Sequence, residues 1–253
     1  MRKMFCLAAL CILCSGCAVF SKAQVVSKEE SLLRVPLIGE EAPAFEADTT
    51  QGHIKFPDDY KGKWVIFFSH PSDFTPVCTT EFMTLAAMQD ELKKLDTVLL
   101  GLSVDSISSH IAWLRTIRDK IEYRGMKNVD VKFPVIANPT MAVARRYGMV
   151  QPAASETTAV RGVFFIDPDG KVRAYLYYPL TNGRNMDELK RLLLALQCTQ
   201  KSKLATPANW QPGDDVIIPP PNTMEGADAR LQKQDEEYHC LDWFMCFRKC
   251  PVK

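Results

Sequence analysis

The chain has 253 residues, with 31 Lys plus Arg against 30 Asp plus Glu, 47% hydrophobic and 9% aromatic residues, 12 Gly, 16 Pro and 9 Cys. That composition excludes disordered, collagen-like and disulfide-dense miniprotein classes, and a net charge of +1 gives no general pull toward nucleic acid or an anionic membrane. The cysteines are the unusual feature: Cys6, Cys11, Cys14 and Cys17 crowd the first 17 residues, Cys240, Cys246 and Cys250 the last 14, and Cys78 and Cys198 stand apart.

At the N-terminus, Arg2 and Lys3 precede an apolar run from Met4 to about Cys14, and Ser21-Lys22-Ala23 supplies small residues at the spacing a signal peptidase reads. Residues 1–23 are therefore expected to be a secretory signal cut after Ala23, and the protein to be exported, either periplasmic or secreted. Two other fates stay open. The uncharged stretch ends at Phe20, slightly short of the roughly 20 residues that span a bilayer, which disfavours a membrane anchor. Cys14-Ser15-Gly16-Cys17 resembles a bacterial lipobox with Cys14 where Leu is usual, and lipid on Cys17 would make a membrane-anchored lipoprotein. Cleavage removes three basic residues and no acid, so the charge changes from +1 to −2, and five cysteines remain in a compartment where disulfides persist. An odd number means that at least one thiol is free, intermolecular or working.

Along the mature chain, WVIFF at 64–68 reads as a buried strand, and residues 79–95 carry Phe82, Leu85, Met88, Leu92 and Leu95 at helical spacing. The strand TVLLGLSV at 97–104 follows. A helix with Ile107, Ile111, Leu114, Ile117 and Ile121 as its stripe then leads to FPVIA at 133–137. Strand, helix, strand, helix, strand is the pattern of a parallel sheet. After a short helix around Met141–Tyr147, GVFFI at 162–166 and KVRAYLYY at 171–178 flank Asp167-Pro168-Asp169-Gly170 and predict an antiparallel hairpin. Asn185–Gln197 is a closing helix. These elements predict an α/β, thioredoxin-like fold over residues 33–196, with a central mixed sheet flanked by helices. Residues 197–253 are rich in proline, are polar from 225 to 238, and end in the apolar Leu241, Trp243, Phe244, Met245 and Phe247. They predict an extended C-terminal arm that packs on something.

The segment His70-Pro71-Ser72-Asp73-Phe74-Thr75-Pro76-Val77-Cys78-Thr79-Thr80-Glu81 lies between a buried strand and an amphipathic helix, which puts Cys78 at a helix N-terminus. Unpaired N–H groups and the helix dipole favour an anion there. An ordinary thiol is only about 3% ionised at pH 7, and making it mostly thiolate needs about 3.4 kcal/mol of differential stabilisation. A helix end supplies about 0.3–1 kcal/mol, or about 2 when partly buried, so another positive group is required.

Pro71, Thr75 and Cys78 match the Pro-x-x-x-Thr-x-x-Cys motif of peroxiredoxins, and PVCTTEF strengthens the match. From about Leu37 to Cys246 the chain resembles the one-Cys type subfamily, closest to its long archaeal-type thiol peroxidases with two C-terminal cysteines. The matching features are His70 before Pro71, Arg161-Gly162-x-Phe164-x-Ile166-Asp167, Asn182-Gly183-Arg184-Asn185, Pro207-Ala208-Asn209-Trp210, VIIPPP at 216–221 and Cys240-x5-Cys246. The resemblance implies that Cys78 attacks a hydroperoxide and becomes a sulfenic acid. Arg161 would stabilise the thiolate and bind the peroxide, Thr75 would offer its hydroxyl to sulfur and substrate, and Pro71 would exclude water. Glu81 would orient an arginine, with Arg184 as the second candidate, and His70 would support from near the sulfur. His53 and His110 show no motif and read as structural.

The resemblance further implies that Cys246 resolves the sulfenic acid, usually from the partner subunit, with Cys240 forming an alternative disulfide with it; Cys250 is an extra thiol, and Cys198 has no assigned role. A zinc site from His239, Cys240, Cys246 and Cys250 does not fit paired-cysteine spacing. The expected activity is reduction of hydrogen peroxide and organic hydroperoxides by a thiol reductant, without metal, haem or flavin, in a homodimer that assembles further, as far as a decamer. Two other classes compete. A thioredoxin-like disulfide reductase needs a Cys-x-x-Cys pair, and the position three before Cys78 is Thr75. A holdase or structural ring whose cysteines only cross-link would protect clients without consuming peroxide.

Overall fold

A computed structural model describes residues 34–232 and 238–251. The leader expected over residues 1–23, including Cys17, lies outside the described residues.

Seven strands form one mixed sheet: β1 (Phe45–Thr49), β2 (Gly52–Phe56), β3 (Trp64–Ser69), β4 (Thr97–Ser103), β5 (Val135–Ala137), β6 (Arg161–Ile166) and β7 (Val172–Tyr178), in the order β2-β1-β5-β4-β3-β6-β7. β3, β4 and β5 run parallel, and β6 and β7 add to β3 as an antiparallel hairpin. The continuous apolar run of β3 follows from burial on both faces. Trp64, Ile66 and Phe68 enter one core layer, and Val65 and Phe67 enter the other. The first layer is closed by α1 (Pro76–Lys94), α2 (Ile107–Lys120) and α4 (Met186–Ser202), and the second by the β1–β2 hairpin and α3 (Ala142–Arg146). Truncating a fully buried ring such as Phe67 to alanine would cost about 3–5 kcal/mol.

A sheet that begins at Trp64 omits the β1–β2 hairpin, whose alternation is short and interrupted by Glu46, Asp48 and Lys55 on the exposed face. The inward face of α2 also differs from the isoleucine stripe. His110, Trp113 and Ile117 are buried, whereas Ile111 is 44% exposed. The polar atoms of His110 and Trp113 find partners inside, in Asp73 and in the Thr79 hydroxyl, so these two residues rather than Ile107 and Ile111 can face the core.

The arm is more ordered than an extended strap. β8 (Asp215–Ile218), β10 (Met245–Lys249) and β9 (Tyr238–Asp242) form a second, antiparallel sheet in the order β8-β10-β9. Between β8 and β9, part of the polar stretch forms α5 (Met224–Gln232), which Thr223 opens by accepting from Gly226 N–H at 3.1 Å. Trp210 and Val216 seat the arm on Ala195 and Cys198 of α4.

Candidate active site

The chain leaves β3 at Ser69 and enters α1 at Pro76, and the loop between them carries His70, Pro71, Asp73 and Thr75. Thr75 is the N-cap in an extended conformation, Pro76 pre-sets the first helical φ, and Cys78 is the third helical residue. The Thr75 side chain makes no capping bond, so it claims none of the first-turn N–H groups around Cys78. Its hydroxyl donates to the Ser72 carbonyl at 2.9 Å. In this arrangement its one hydrogen goes to the loop carbonyl, and the oxygen lone pairs remain for the expected contact with sulfur and substrate. Pro71 is half-buried beside it.

Cys78 is fully buried and is the free cysteine among the described residues. Arg161, at the start of β6, donates from Nη1 to Cys78 Sγ at 3.3 Å and to Glu81 Oε2 at 2.8 Å. Its Nε and Nη2 donate to the Leu180 carbonyl at 3.0 and 2.8 Å, which fixes the plane of the guanidinium. Glu81 lies on the inner face of α1, nearly one turn past Cys78. It also accepts from Arg184 Nε at 2.9 Å, Arg184 N–H at 2.8 Å and Arg184 Nη2 at 2.6 Å. Arg184 Nη1 donates to the Ser69 and Gly162 carbonyls at 3.0 and 3.1 Å, and the guanidinium stacks on Phe68. A Cβ at Gly162 would meet Tyr177, Met149 and Ser69 at 3.1–3.2 Å, so glycine lets these side chains pack closely on the start of β6.

All three charged side chains are buried, and burial opposes ionisation of Glu81, but Arg184 and then Arg161 outweigh it and hold the carboxyl below its ordinary range. Two guanidinium groups against one carboxylate leave one positive charge over, and a thiolate at Cys78 balances it. Burying unpaired charge is expensive, so the cluster is neutral when the sulfur is ionised. Arg161 thus places a positive group beside the sulfur, where the helix end offers only its dipole. Sequence reading assigned both arginines through resemblance; it did not show that one carboxylate holds both.

His70 is fully buried, with Nε2 3.0 Å from Asp73 Oδ1, and its ring packs against Phe82 and Trp113. Asp73 also faces Nδ1 of His110. Asp73 carried no motif of its own and His110 read as structural, yet both join this cluster; the available signal was the His70-x-x-Asp73 spacing at the mouth of a helix. The donor atoms of His70, Asp73 and His110 lie within 4.8 Å of one another, and hydrogen bonds between them account for that proximity.

The terminal cysteines do not join Cys78. Cys240 and Cys246 sit opposite each other in β9 and β10 and are bonded to each other, with Cys246 fully buried. Cys250, expected as an extra thiol, is instead bonded to Cys198 at the end of α4. Their separation of 52 residues gave no sequence signal for that pairing.

Residues 38–175 match the AhpC/TSA family, and residues 195–234 match the C-terminal domain of 1-Cys peroxiredoxin. A peroxiredoxin of Methanosarcina mazei is 64% identical over 219 residues, covering 87% of this chain and all of the relative. A peroxiredoxin of Aquifex aeolicus is 50% identical over 228 residues, covering 86% and 99%. Among solved structures, the yeast mitochondrial 1-Cys peroxiredoxin aligns with a TM-score of 0.72 and 39% identity, over 84% of this chain and 99% of that one. The peroxiredoxin 6 of Arenicola marina aligns with a TM-score of 0.74 and 34% identity, over 86% and 99%.

Proposed function

The chain belongs to the peroxiredoxin family, and from that premise we propose how its own residues divide the work of a thiol-dependent peroxidase. The Cys78 thiolate attacks the terminal oxygen of a hydroperoxide. The O–O bond breaks, sulfur keeps the hydroxyl as a sulfenic acid, and the other oxygen takes a proton and leaves as water or an alcohol. The observation that carries this reading is the Arg161 guanidinium 3.3 Å from the one free sulfur among the described residues, in a charge cluster that a thiolate neutralises. Arg161 then serves the developing negative charge on the leaving oxygen. The disulfide-reductase alternative is not favoured, since Thr75 occupies the position where a second cysteine would stand.

We assign Cys246 as the resolving cysteine. Its thiol displaces water from the sulfenic acid to form a Cys78–Cys246 disulfide, Cys240 then displaces Cys78, and the Cys240–Cys246 disulfide passes to an external thiol reductant. Support comes from the adjacency of Cys240 and Cys246 across β9 and β10, and from the greater exposure of Cys240, the sulfur an external thiol would meet first. Cys250 is bonded elsewhere, so it is not the resolver in this reading.

We further propose a homodimer, assembling as far as a decamer, with resolution between subunits. The half-buried edge strand β7 and the exposed Leu241, Trp243, Phe244 and Met245 of the arm support it. Export through cleavage after Ala23, with lipid on Cys17 as its rival, rests on the leader pattern alone.

Replacing Cys78 by serine tests the peroxidase reading: peroxide consumption with a thiol donor should vanish, and unchanged turnover would defeat it. The Cys246→Ser protein should no longer form a peroxide-induced dimer on a non-reducing gel. The intact mass of the exported protein distinguishes a chain beginning at Gln24 from one lipidated at Cys17.

A further inference from the structure

Two disulfides close the arm, and the cycle proposed above turns over only one of them, Cys240–Cys246. The other joins Cys198, buried in the apolar layer beneath the arm, to the half-buried Cys250. Both cysteines line a cavity of about 260 Å³ together with Gln197, Trp210, Pro212 and Lys249, and its rim at Pro212 and Lys249 is exposed. Exchange with an external thiol depends on access to one sulfur of the bond. The cavity supplies that access, and Cys250 is the less buried end, as Cys240 is in the other bond.

What this bond holds follows from how the arm is seated. The front limb has several attachments: Trp210 and Val216 pack on Ala195 and Cys198, Arg191 Nη1 donates to the Trp210 carbonyl at 2.9 Å, and Ala205 and Ile217 exchange backbone hydrogen bonds of 2.9 and 2.7 Å. The β9–β10 hairpin has fewer. Within the three-stranded sheet only Val216 and Cys246 are buried, and so small a sheet with so little apolar face is marginal by itself. Besides its pairing with β8, β10 is tied by the Cys250 bond and by the Lys249–Asp215 ion pair, whose lysine is 71% exposed and which therefore contributes little.

With the bond closed, Cys246 is about 4 residues from a fixed point at Cys250; once β10 leaves β8, the nearest seated residue is Ile218, about 28 residues back. Effective concentration falls as roughly the −3/2 power of tether length, which puts the open arm about 10–20-fold below the closed one.

We propose that Cys198–Cys250 is a second thiol-exchange site, where a small thiol or dithiol attacking at Cys250 releases the hairpin and slows the resolution of Cys78 by Cys246. The incoming thiolate bonds to the Cys250 sulfur and expels Cys198 as a thiolate, which takes a proton. A second thiol of the reductant then displaces Cys250, and the reductant leaves as its own disulfide. While Cys246 is delayed, a second hydroperoxide oxidises the waiting sulfenic acid to sulfinic acid and leaves as water or an alcohol. The effect on resolution rests on Cys246 being the resolver proposed above.

The test uses the full mature chain, brought by graded dithiothreitol from oxidised to reduced and then freed of reductant. Alkylation and mass spectrometry give the fraction of molecules in which Cys198 and Cys250 are open, and quenched flow with one equivalent of hydrogen peroxide gives the rate at which the Cys78–Cys246 bond forms. The two residues should become labelled together. The bond should form in a fast and a slow phase about 10–20-fold apart, with the slow amplitude following the open fraction. Cys198→Ala/Cys250→Ser should show the slow phase alone and accumulate more sulfinic acid under excess peroxide. If that variant does not fold, Cys250→Ser, which leaves the buried helix residue in place, carries the comparison. Complete labelling of Cys240 and Cys246 while Cys250 stays protected, or one phase of the same rate in every preparation, would overturn the proposal. Absence of Cys78 oxidation in the unmodified protein would instead defeat the peroxidase reading, and oxidation without a Cys78–Cys246 bond would defeat the choice of resolver; the labelling, done without peroxide, is independent of both.

Discussion

Replacing Arg161 by glutamine isolates the charge that the helix end cannot supply. Nη1 stands 3.3 Å from the Cys78 sulfur, and at an effective dielectric constant of about 20 two unit charges at that separation interact by about 5 kcal/mol. The net loss is smaller, because Arg184 keeps its charge on Glu81 and the helix dipole still contributes up to about 2 kcal/mol. Removing one aimed donor from a buried reaction site costs about 2.7–4 kcal/mol where it has been measured, so the rate constant with hydrogen peroxide should fall about 10²–10³-fold. Arg161→Lys keeps the charge but loses the fork that grips the Leu180 carbonyl, and should fall between the two. Single-turnover stopped flow reads the rate, and thermal unfolding reads the stability cost of the abandoned carbonyl. A glutamine variant that folds normally yet reacts within about tenfold of the parent, a difference of only about 1.4 kcal/mol, would refute the charge-balance account.

Acid should unfold the protein through its buried carboxylates. Folding lowers the pKa of both Asp73 and Glu81, so near pH 4 the unfolded chain binds more protons than the folded one. Stability is therefore full above the unfolded carboxylate values of about 4 and is lost as pH falls from there through the folded values; denaturant midpoints should decline in that window, and Glu81→Gln should flatten the decline. Cutting the Cys198–Cys250 bond by Cys198→Ser should destabilise by as much as about 4 kcal/mol in the loop-entropy limit for a separation of 52 residues, read as a lower denaturant midpoint.

What could be read from sequence was local. The period of residues 64–104 placed β3, α1 and β4, and the motif at 71–78 placed Cys78 at a helix start, because both depend on neighbours within a few residues. Glu81 holding two arginines was not legible, since its partners lie 80 and 103 residues away and only the β3–β6 pairing brings them in. His110 shows no motif and reads as structural; that it faces inward in place of Ile111 was not legible, because its partner Asp73 lies 37 residues away. The five cysteines beyond residue 23 permit several pairings, and nothing in their spacing selected Cys198 for Cys250.

That bond changes what kind of object the arm is. Closed at Cys250 onto the end of α4, the segment beyond Cys198 is a hoop rather than a trailing thread, with the Cys240–Cys246 hairpin mounted on it close to the clasp. A loose end explores a volume that widens with its contour, whereas a hoop pinned at both feet explores only what bending of its two limbs allows. Under the intersubunit resolution proposed above, the frequency with which Cys246 meets an oxidised Cys78 depends on reach and on the placement of the neighbouring subunit, as in a linked two-site binder. In that proposal, the Cys198–Cys250 clasp would set which copy of the enzyme each arm can serve.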